Sequence, residues 1–592
     1  MLAAPVLLLA WLFASPPVAA VGSLPPRTQS DAAYIASYAA HSVTNVFATT
    51  QKTSCYTPEV PYFTSDGPND GYTGMEACTG RANTGEALGS YPTQAGSNPG
   101  YPASAPMLVK DHSESDIRVD PTNPLHLIGS SKWFVSAEGY NHLLGFYEST
   151  DGGVTWPVQG HIPGYEGWTD NTDPVGAFDT HGDYYSLILP YQFFYNSDGT
   201  HNFQINPNEE PNPTQPAEVI SIAVRPHGAS TATDWISTRN GHPDFVAPYD
   251  AKGQEPDKQW LTIDTNPRSP FKNTIYAMWA VFDGFNSKAF VSTAKALGNG
   301  HHTDWSAPQQ LPTINSTAGD SYLLPHVAPN GTVYTSVTNF PGKDAFCCVT
   351  ISVDWSTDGG VTWQGPSALA AQNIPETIAY TNTTFRQGIS NSFAVGNQLV
   401  NGKYPLYVAY EDYGTGNANV MLTSSIDGGQ IWSTPIKVND NVTSTVDEFQ
   451  PNLAVAADGT VSVNFYDRRL ACPAQGTEAT AAGLALDQVN PAYVGALPPY
   501  GATNYCVNAS IQFYHPSLTP ISHNIRISQH AFDPQLNSPH TRCASCRRTF
   551  IGDYFGNTFA GSTSYSSFVS TYDDGTNTAH YQQQLVASLK IS

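Results

Sequence analysis

Ser149-Thr150-Asp151-Gly152-Gly153-Val154-Thr155-Trp156 is written a second time as Ser356-Thr357-Asp358-Gly359-Gly360-Val361-Thr362-Trp363, and again with changes as Ser425-Ile426-Asp427-Gly428-Gly429-Gln430-Ile431-Trp432. The three Asp residues lie 207 and then 69 positions apart, and 207 is three times 69. A fixed period of this kind marks an array of similar units. Each box reads as a turn. Gly supplies positive φ without steric cost, and the Asp carboxylate can accept bonds from the amides that follow it. Leu143-Leu144-Gly145-Phe146-Tyr147 leads into the first box as an apolar run, and Ile351-Ser352-Val353-Asp354-Trp355 leads into the second with strand-like alternation. The predicted unit is a hairpin whose turn is held by Asp and whose far strand begins with a buried Trp.

A second repeat supports the period. Strand-like starts occur at Asp116-Ile117-Arg118-Val119, Val175-Gly176-Ala177-Phe178, Trp260-Leu261-Thr262-Ile263, His326-Val327-Ala328, Ser392-Phe393-Ala394-Val395, Asn452-Leu453-Ala454-Val455 and Asp553-Tyr554-Phe555-Gly556. The boxes then fall in units one, four and five. Trp305-Ser306-Ala307-Pro308 echoes Trp432-Ser433-Thr434-Pro435 after a box that has lost its Asp-Gly-Gly. Repeated units of four short strands close radially and leave few exposed edges. The expected fold is all-β, a seven-bladed β-propeller, with six blades as the alternative. A two-sheet sandwich would not explain the period.

Residues 1–20 are apolar and end in Val18-Ala19-Ala20, which reads as a signal peptide with its cleavage site. Residues 21–109 read as an N-terminal extension that packs on the propeller, by wrapping it or by supplying its closing strand. Residues 110–592 read as the propeller itself. No later run of about 18 apolar residues follows, so no membrane span is expected. The expectation is a secreted monomer, glycosylated at the sequons of Asn315, Asn330, Asn382, Asn441 and Asn508. The eight cysteines suit an oxidising compartment. Cys55 with Cys78, Cys472 with Cys506, and Cys543 with Cys546 are candidate disulfides, leaving the adjacent Cys347 and Cys348. A formal charge of −24 with 25 Lys plus Arg argues against nucleic acid.

Chemistry is expected where the innermost strands converge on the axis. The residues just before them include His112 and Glu114, Asp170 and Asp173, Lys258 and Trp260, Asp320 and Tyr322, Arg386, Asp447 and Glu448, and Arg548, Asp553 and Tyr554. Cations to grip a carboxylate, aromatic faces to stack on a sugar, and imidazole or carboxyl groups to move a proton suit an acidic oligo- or polysaccharide. Tyr466-Asp467-Arg468-Arg469 reads as a strand-end ion-pair cluster. Asp179, His181 and Asp183 read as a solvated turn rather than as metal ligands. No cofactor is required, and the axial channel admits calcium held by carboxylates and carbonyls.

The Ser-x-Asp-Gly-Gly-x-Thr-Trp box resembles the Asp-box, or BNR repeat, of the sialidase-like propellers. Asp257-Lys258-Gln259-Trp260, Phe449-Gln450-Pro451 and Phe550-Ile551-Gly552-Asp553-Tyr554 resemble segments of secreted proteins of that kind. This resemblance implies the propeller and an exo-acting hydrolase. Sialidases use three arginines, a Tyr nucleophile backed by Glu, and an Asp acid/base. The Arg-Ile-Pro-like motif of the first arginine is absent here, Arg118-Val119-Asp120-Pro121 being the nearest. Architecture, size, secretion and a His before the first blade are also similar to the fungal L-rhamnose-α-1,4-D-glucuronate lyases. That likeness implies β-elimination at a uronate, with His112 as base and then acid, Arg386 and Arg548 on the carboxylate, and Tyr554 assisting. Glu114, Lys258, Trp260, Asp447, Glu448, Arg548 and Asp553 would bind substrate. The alternatives are a sialidase-type hydrolase and a non-catalytic glycan-binding propeller.

Overall fold

The computed structural model describes residues 41–46, 63–64, 67–68, 111–134, 142–163, 170–191, 218–239, 242–249, 254–283, 286–313, 319–340, 348–374, 380, 385–386, 391–441, 445–470, 504–532, 540–541, 548–572 and 582–591. They form seven antiparallel sheets of four or five strands, which are the seven blades of a propeller. The innermost strands are Asp111–Asp120, Asp170–Phe178, Glu255–Ile263, Asp320–Val327, Asn391–Val395, Glu448–Val455 and Gly556–Ala560, one for each predicted start. Buried apolar clusters fill the spaces between successive blades. Burying one Leu, Ile or Phe contributes about 1.5–3 kcal/mol, so these shared seams dominate cohesion.

The ring closes by mixing the two ends of the chain. Blade 7 takes three strands from the C-terminal region and its outermost strand, His41–Asn45, from the N-terminal extension, paired antiparallel with Gln583–Lys590. The extension therefore supplies the closing strand. The Cys472–Cys506 insertion interrupts blade 6, between its second strand, Val461–Asp467, and its third, Asn508–Tyr514. Cys348 and Cys506 each take part in a disulfide. The other six cysteines, residues 1–20, Asn315 and Asn382 lie outside the described residues.

The boxes are turns between third and fourth strands. In the first, Asp151 Oδ1 accepts from Ser149 Oγ at 2.8 Å and from the amides of Val154 and Thr155 at 3.0 and 2.9 Å, while Oδ2 accepts from Thr155 Oγ1 at 2.6 Å. Gly152 and Gly153 have φ of 77° and 84°, where a side chain would be strained. The Trp precedes the far strand instead of beginning it. Trp156 is buried, but Trp363 and Trp432 are half-buried, and Trp432 Nε1 donates to Ala368 O of the preceding blade at 3.1 Å. The degenerate unit keeps the frame of the third box. Ser306 Oγ accepts from Thr293 N at 2.9 Å as Ser433 Oγ accepts from Ser424 N at 3.0 Å.

Three expectations are corrected or refined by packing. Asn508 is 1 % exposed in a central strand, so its sequon cannot carry a glycan on the folded chain, whereas Asn330 sits exposed in a turn and Asn441 is half-buried. Asp179 and Asp183 are fully buried, not solvated. Asp179 Oδ1 accepts from the amides of His181 and Asp183, and Asp183 accepts from those of His227 and Gly300, so they cap loops of blades 2 and 3. Arg468 pairs with Asp447 at 3.0 Å and Arg469 with Asp467 at 2.7 Å, the ion-pair cluster expected at that strand end.

Candidate functional site

Five inner strands carry the same irregularity. Glu114, Asp173, Lys258, Tyr322 and Gln450 have φ between 49° and 56°, each inside a bulge that shifts the register of its innermost strand. Non-glycine residues rarely adopt this conformation, and its recurrence marks a site that the fold over-determines. Blade 7 places Gly552, with φ of 102°, beside this ring. A Cβ there would meet the Glu114 backbone amide at 2.4 Å, so glycine is required by close approach.

The bulges bring charges together at the N-terminal ends of the inner strands. Lys258 Nζ lies 2.8 Å from Asp553 Oδ2, 3.4 Å from Asp173 Oδ2 and 3.9 Å from Asp257 Oδ1. Lys132 Nζ lies 3.5 Å from Glu114 Oε2 and 3.8 Å from Asp173 Oδ1. Aromatic rings complete the group. Tyr322 is 5.7 Å from Lys258 Nζ, Phe550 is 5.4 Å from Lys132 Nζ, and Tyr554 meets Trp260 edge-on at 5.2 Å. Tyr554 Oη donates to Pro174 O at 3.2 Å. Asp257 and Lys258 are the most accessible charges, with side-chain exposures of 34 % and 16 %.

The electrostatics separate the carboxyl groups. Burial drives Glu114 well above the usual carboxyl range, and Asp173 adds to this more than Lys132 offsets it. Burial also pushes Asp173 upward, but Lys258, Lys132 and a hydrogen bond from Glu114 outweigh it and hold Asp173 well below its ordinary value. The surroundings thus favour the neutral acid at Glu114 and the ionised carboxylate at Asp173. Burial opposes the Lys258 charge, but Asp173, Asp257 and Asp553 raise its pKa well above that of a free lysine. Burial raises the Tyr554 phenol, with Glu114 and Asp173 adding to it.

The expected residues divide. Glu114, Lys258, Trp260, Asp553 and Tyr554 come together. His112 turns into the blade, fully buried and edge-on to Trp133 at 5.8 Å, and burial lowers its pKa to about 3. Such an imidazole does not take up a proton near neutrality. Asp447 and Glu448 face the seam between blades 5 and 6. Asp447 accepts from Ala418 N and pairs with Arg468, and Glu448 accepts from Asn439 Nδ2 at 2.8 Å. Arg386 and Arg548 share a small sheet, in which Phe385–Arg386 runs parallel to Arg548–Phe550 and Arg386 is in register with Phe550. Lys132 was not anticipated. It sits on the second strand of blade 1, opposite Ser113 at the bulge, a relation that only strand register reveals. Among the described residues, no three His, Cys, Asp or Glu side chains are arranged to hold a metal ion, and no helix is long and apolar enough to cross a membrane.

No protein-family model matches the chain, and no curated protein matches it. Solved structures with a similar fold include a protein of unknown function from Dyadobacter fermentans, 11 % identical over 82 % of this chain and 97 % of that one, with a TM-score of 0.39. The intramolecular trans-sialidase from Ruminococcus gnavus is 11 % identical over 81 % of this chain and 94 % of its own, with a TM-score of 0.36. The NanB sialidase from Streptococcus pneumoniae is 11 % identical over 83 % and 71 %, with a TM-score of 0.33.

Proposed function

We propose that the protein is a secreted carbohydrate-active enzyme that cleaves a glycosidic bond at the axial ring, with Glu114 as the proton donor. The observation that carries this reading is the opposed shift of Glu114 and Asp173. Two neighbouring carboxyl groups whose environments drive them apart are the usual basis of acid–base division in bond cleavage. Glu114, whose surroundings favour its neutral form, gives its proton to the leaving glycosidic oxygen. Lys132, 3.5 Å away, stabilises the carboxylate that results. Asp173 stays ionised between the two lysines. On this reading Asp257, the most accessible of the carboxylates, activates water. The aromatic faces of Tyr322, Trp260 and Tyr554 suit a sugar ring. On this reading the enzyme is a hydrolase.

A second reading, elimination from a uronate, is favoured by one observation: Arg386 and Arg548 lie on adjacent strands, and Arg548 precedes Asp553 by five residues. Elimination needs a cation to neutralise the substrate carboxylate and acidify the neighbouring C–H. Product analysis separates the readings. Digestion of gum arabic and of neutral and sialylated oligosaccharides is followed by reducing ends, by free sialic acid and by ultraviolet absorbance. New reducing ends without absorbance support the hydrolase, and free sialic acid identifies it as a sialidase. Absorbance from a conjugated product replaces it with the lyase. Binding without turnover in wild type and Glu114→Gln alike leaves a glycan-binding propeller.

A further inference from the structure

A cavity lies at the other end of the inner strands from the charged ring. The ring occupies the N-terminal ends of these strands, while the cavity, of about 150 Å³, lies at their C-terminal ends, lined by Arg118, Trp260, Thr262, His326 and Thr558 among others. These residues come from blades 1, 3, 4 and 7, so the cavity is axial. Among the described residues that line it, Arg118 and His326 are the titratable side chains and Arg118 is the one cation.

Arg118 is held in a fixed pose. Its Nε donates to Asp116 Oδ2 at 3.1 Å, its Nη2 lies 2.9 Å from Asp116 Oδ1, and its guanidinium stands 6.0 Å from the Trp260 ring centre. Asp116 is anchored in turn, accepting from Gly176 N at 2.9 Å. One edge of the fork is therefore fixed while the side chain remains 24 % exposed. Among the described residues Nη1 has no acceptor. Such a group has lost its rotamer freedom before any ligand arrives, which lowers the cost of binding. His326 is half-buried in the same wall, and burial together with the Arg118 charge lowers its pKa to about 3, so it faces the cavity as a neutral imidazole. The threonine hydroxyls add donors. A cavity with one positioned guanidinium, a neutral imidazole, hydroxyls and an indole face is complementary to a small planar anion.

We propose that this distal mouth is a binding site for a small carboxylate, gripped by Arg118 and packed against Trp260, at the opposite ends of the inner strands from Glu114 and sharing only Trp260 with the ring that contains it. The proposal is independent of the reaction assigned to that ring.

The test is calorimetric titration of the full chain with sodium acetate, at fixed ionic strength in chloride buffer, repeated with inorganic phosphate and with glucuronate. Wild type should give a saturable one-site isotherm with acetate. Arg118→Gln should weaken it about tenfold or more, the worth of one charged hydrogen bond. If Arg118→Gln fails to fold because Asp116 loses its partner, Arg118→Lys keeps the charge and still loses the fork, and it should weaken acetate measurably. Tighter glucuronate than acetate extends the site to a uronate ring over Trp260, and Trp260→Ala should then abolish that preference. No saturable heat in wild type, the same isotherm in wild type and Arg118→Lys, or phosphate binding tighter than both carboxylates would each overturn the proposal.

Discussion

Lys258 of blade 3 and Asp553 at the edge of blade 7 meet at 2.8 Å across the axis, with Asp553 almost fully buried. One ion pair thus ties together parts of the ring that are nearly three hundred residues apart in sequence. Lys258 also pairs with Asp173, so its removal takes a cation from two buried carboxylates, of which Asp173 still faces Lys132 at 3.8 Å. Breaking a buried pair from one side costs about 3 kcal/mol or more. Lys258→Met should lower stability by that order in chemical denaturation, and Lys258→Met with Asp553→Asn should recover a good part of it. Equal losses in the single and double variants would show that the pair is not coupled.

Glu114 titrates in the direction that makes it an acid. Its folded pKa is raised by burial, so its proton is held to higher pH than that of an ordinary carboxyl and is lost as pH climbs through the folded value. Activity should therefore fall on the alkaline side of the pH profile. Glu114→Gln keeps the shape and removes the transferable proton. The expected loss in kcat is about 10²–10⁴-fold, with KM little changed and the alkaline limb gone. A variant that keeps the wild-type alkaline limb would assign that titration to another group.

How much of this was legible in the sequence differs between scaffold and site. The boxes and the seven strand starts are local patterns, and the period-69 spacing follows directly from them, so the blade count could be read. Glu114, Lys258, Trp260, Asp553 and Tyr554 come together because they stand at the N-terminal side of an inner strand, Glu114 and Lys258 within its bulge and Asp553 and Tyr554 just before it. The same rule misplaced His112, Asp447 and Glu448. Successive residues of a strand point to opposite faces, and a bulge resets that alternation. Without knowing where each bulge falls, residues one or two positions apart cannot be sorted between axis and blade interior. Lys132 escaped the rule altogether, because it reaches the ring from a second strand through pairing with Ser113.

His126 joins the seam of blades 1 and 2 to pH. Its Nδ1 is 2.9 Å from Asp120 and its Nε2 is 2.7 Å from Glu148, which also binds Arg225 at 2.6 Å. Burial pulls the imidazole down, but the two carboxylates outweigh it and lift its pKa to about 9, while both carboxylates are held below their ordinary values. The raised histidine contributes stability that is complete below its unfolded pKa, near ~6.5, and is lost as pH rises through about 9. The lowered carboxylates contribute stability above their unfolded values, which is lost as pH falls through the folded ones. Thermal melts should therefore peak between about pH 5 and 6.5 and decline towards pH 9, the histidine accounting for at most about 3 kcal/mol. His126→Gln should flatten the alkaline decline. An unchanged decline in that variant would place the titrating group elsewhere.

The Asp boxes should matter to stability and not to turnover. Asp358 accepts from Ser356 Oγ at 2.8 Å and from Thr362 through both its amide, at 2.9 Å, and its hydroxyl, in a turn at the outer part of blade 4. Removing the carboxylate leaves these donors to water, because the turn is solvent-facing, so the loss is of hydrogen bonds and not of buried charge. Asp358→Ala should cost about 1–2 kcal/mol with kcat/KM within about twofold of wild type on whatever saccharide is found to be cleaved. Asp427→Ala should behave alike, and the two losses should add, since the turns belong to different blades and share no partner. A large fall in kcat/KM at unchanged stability would move the boxes from the scaffold to the chemistry.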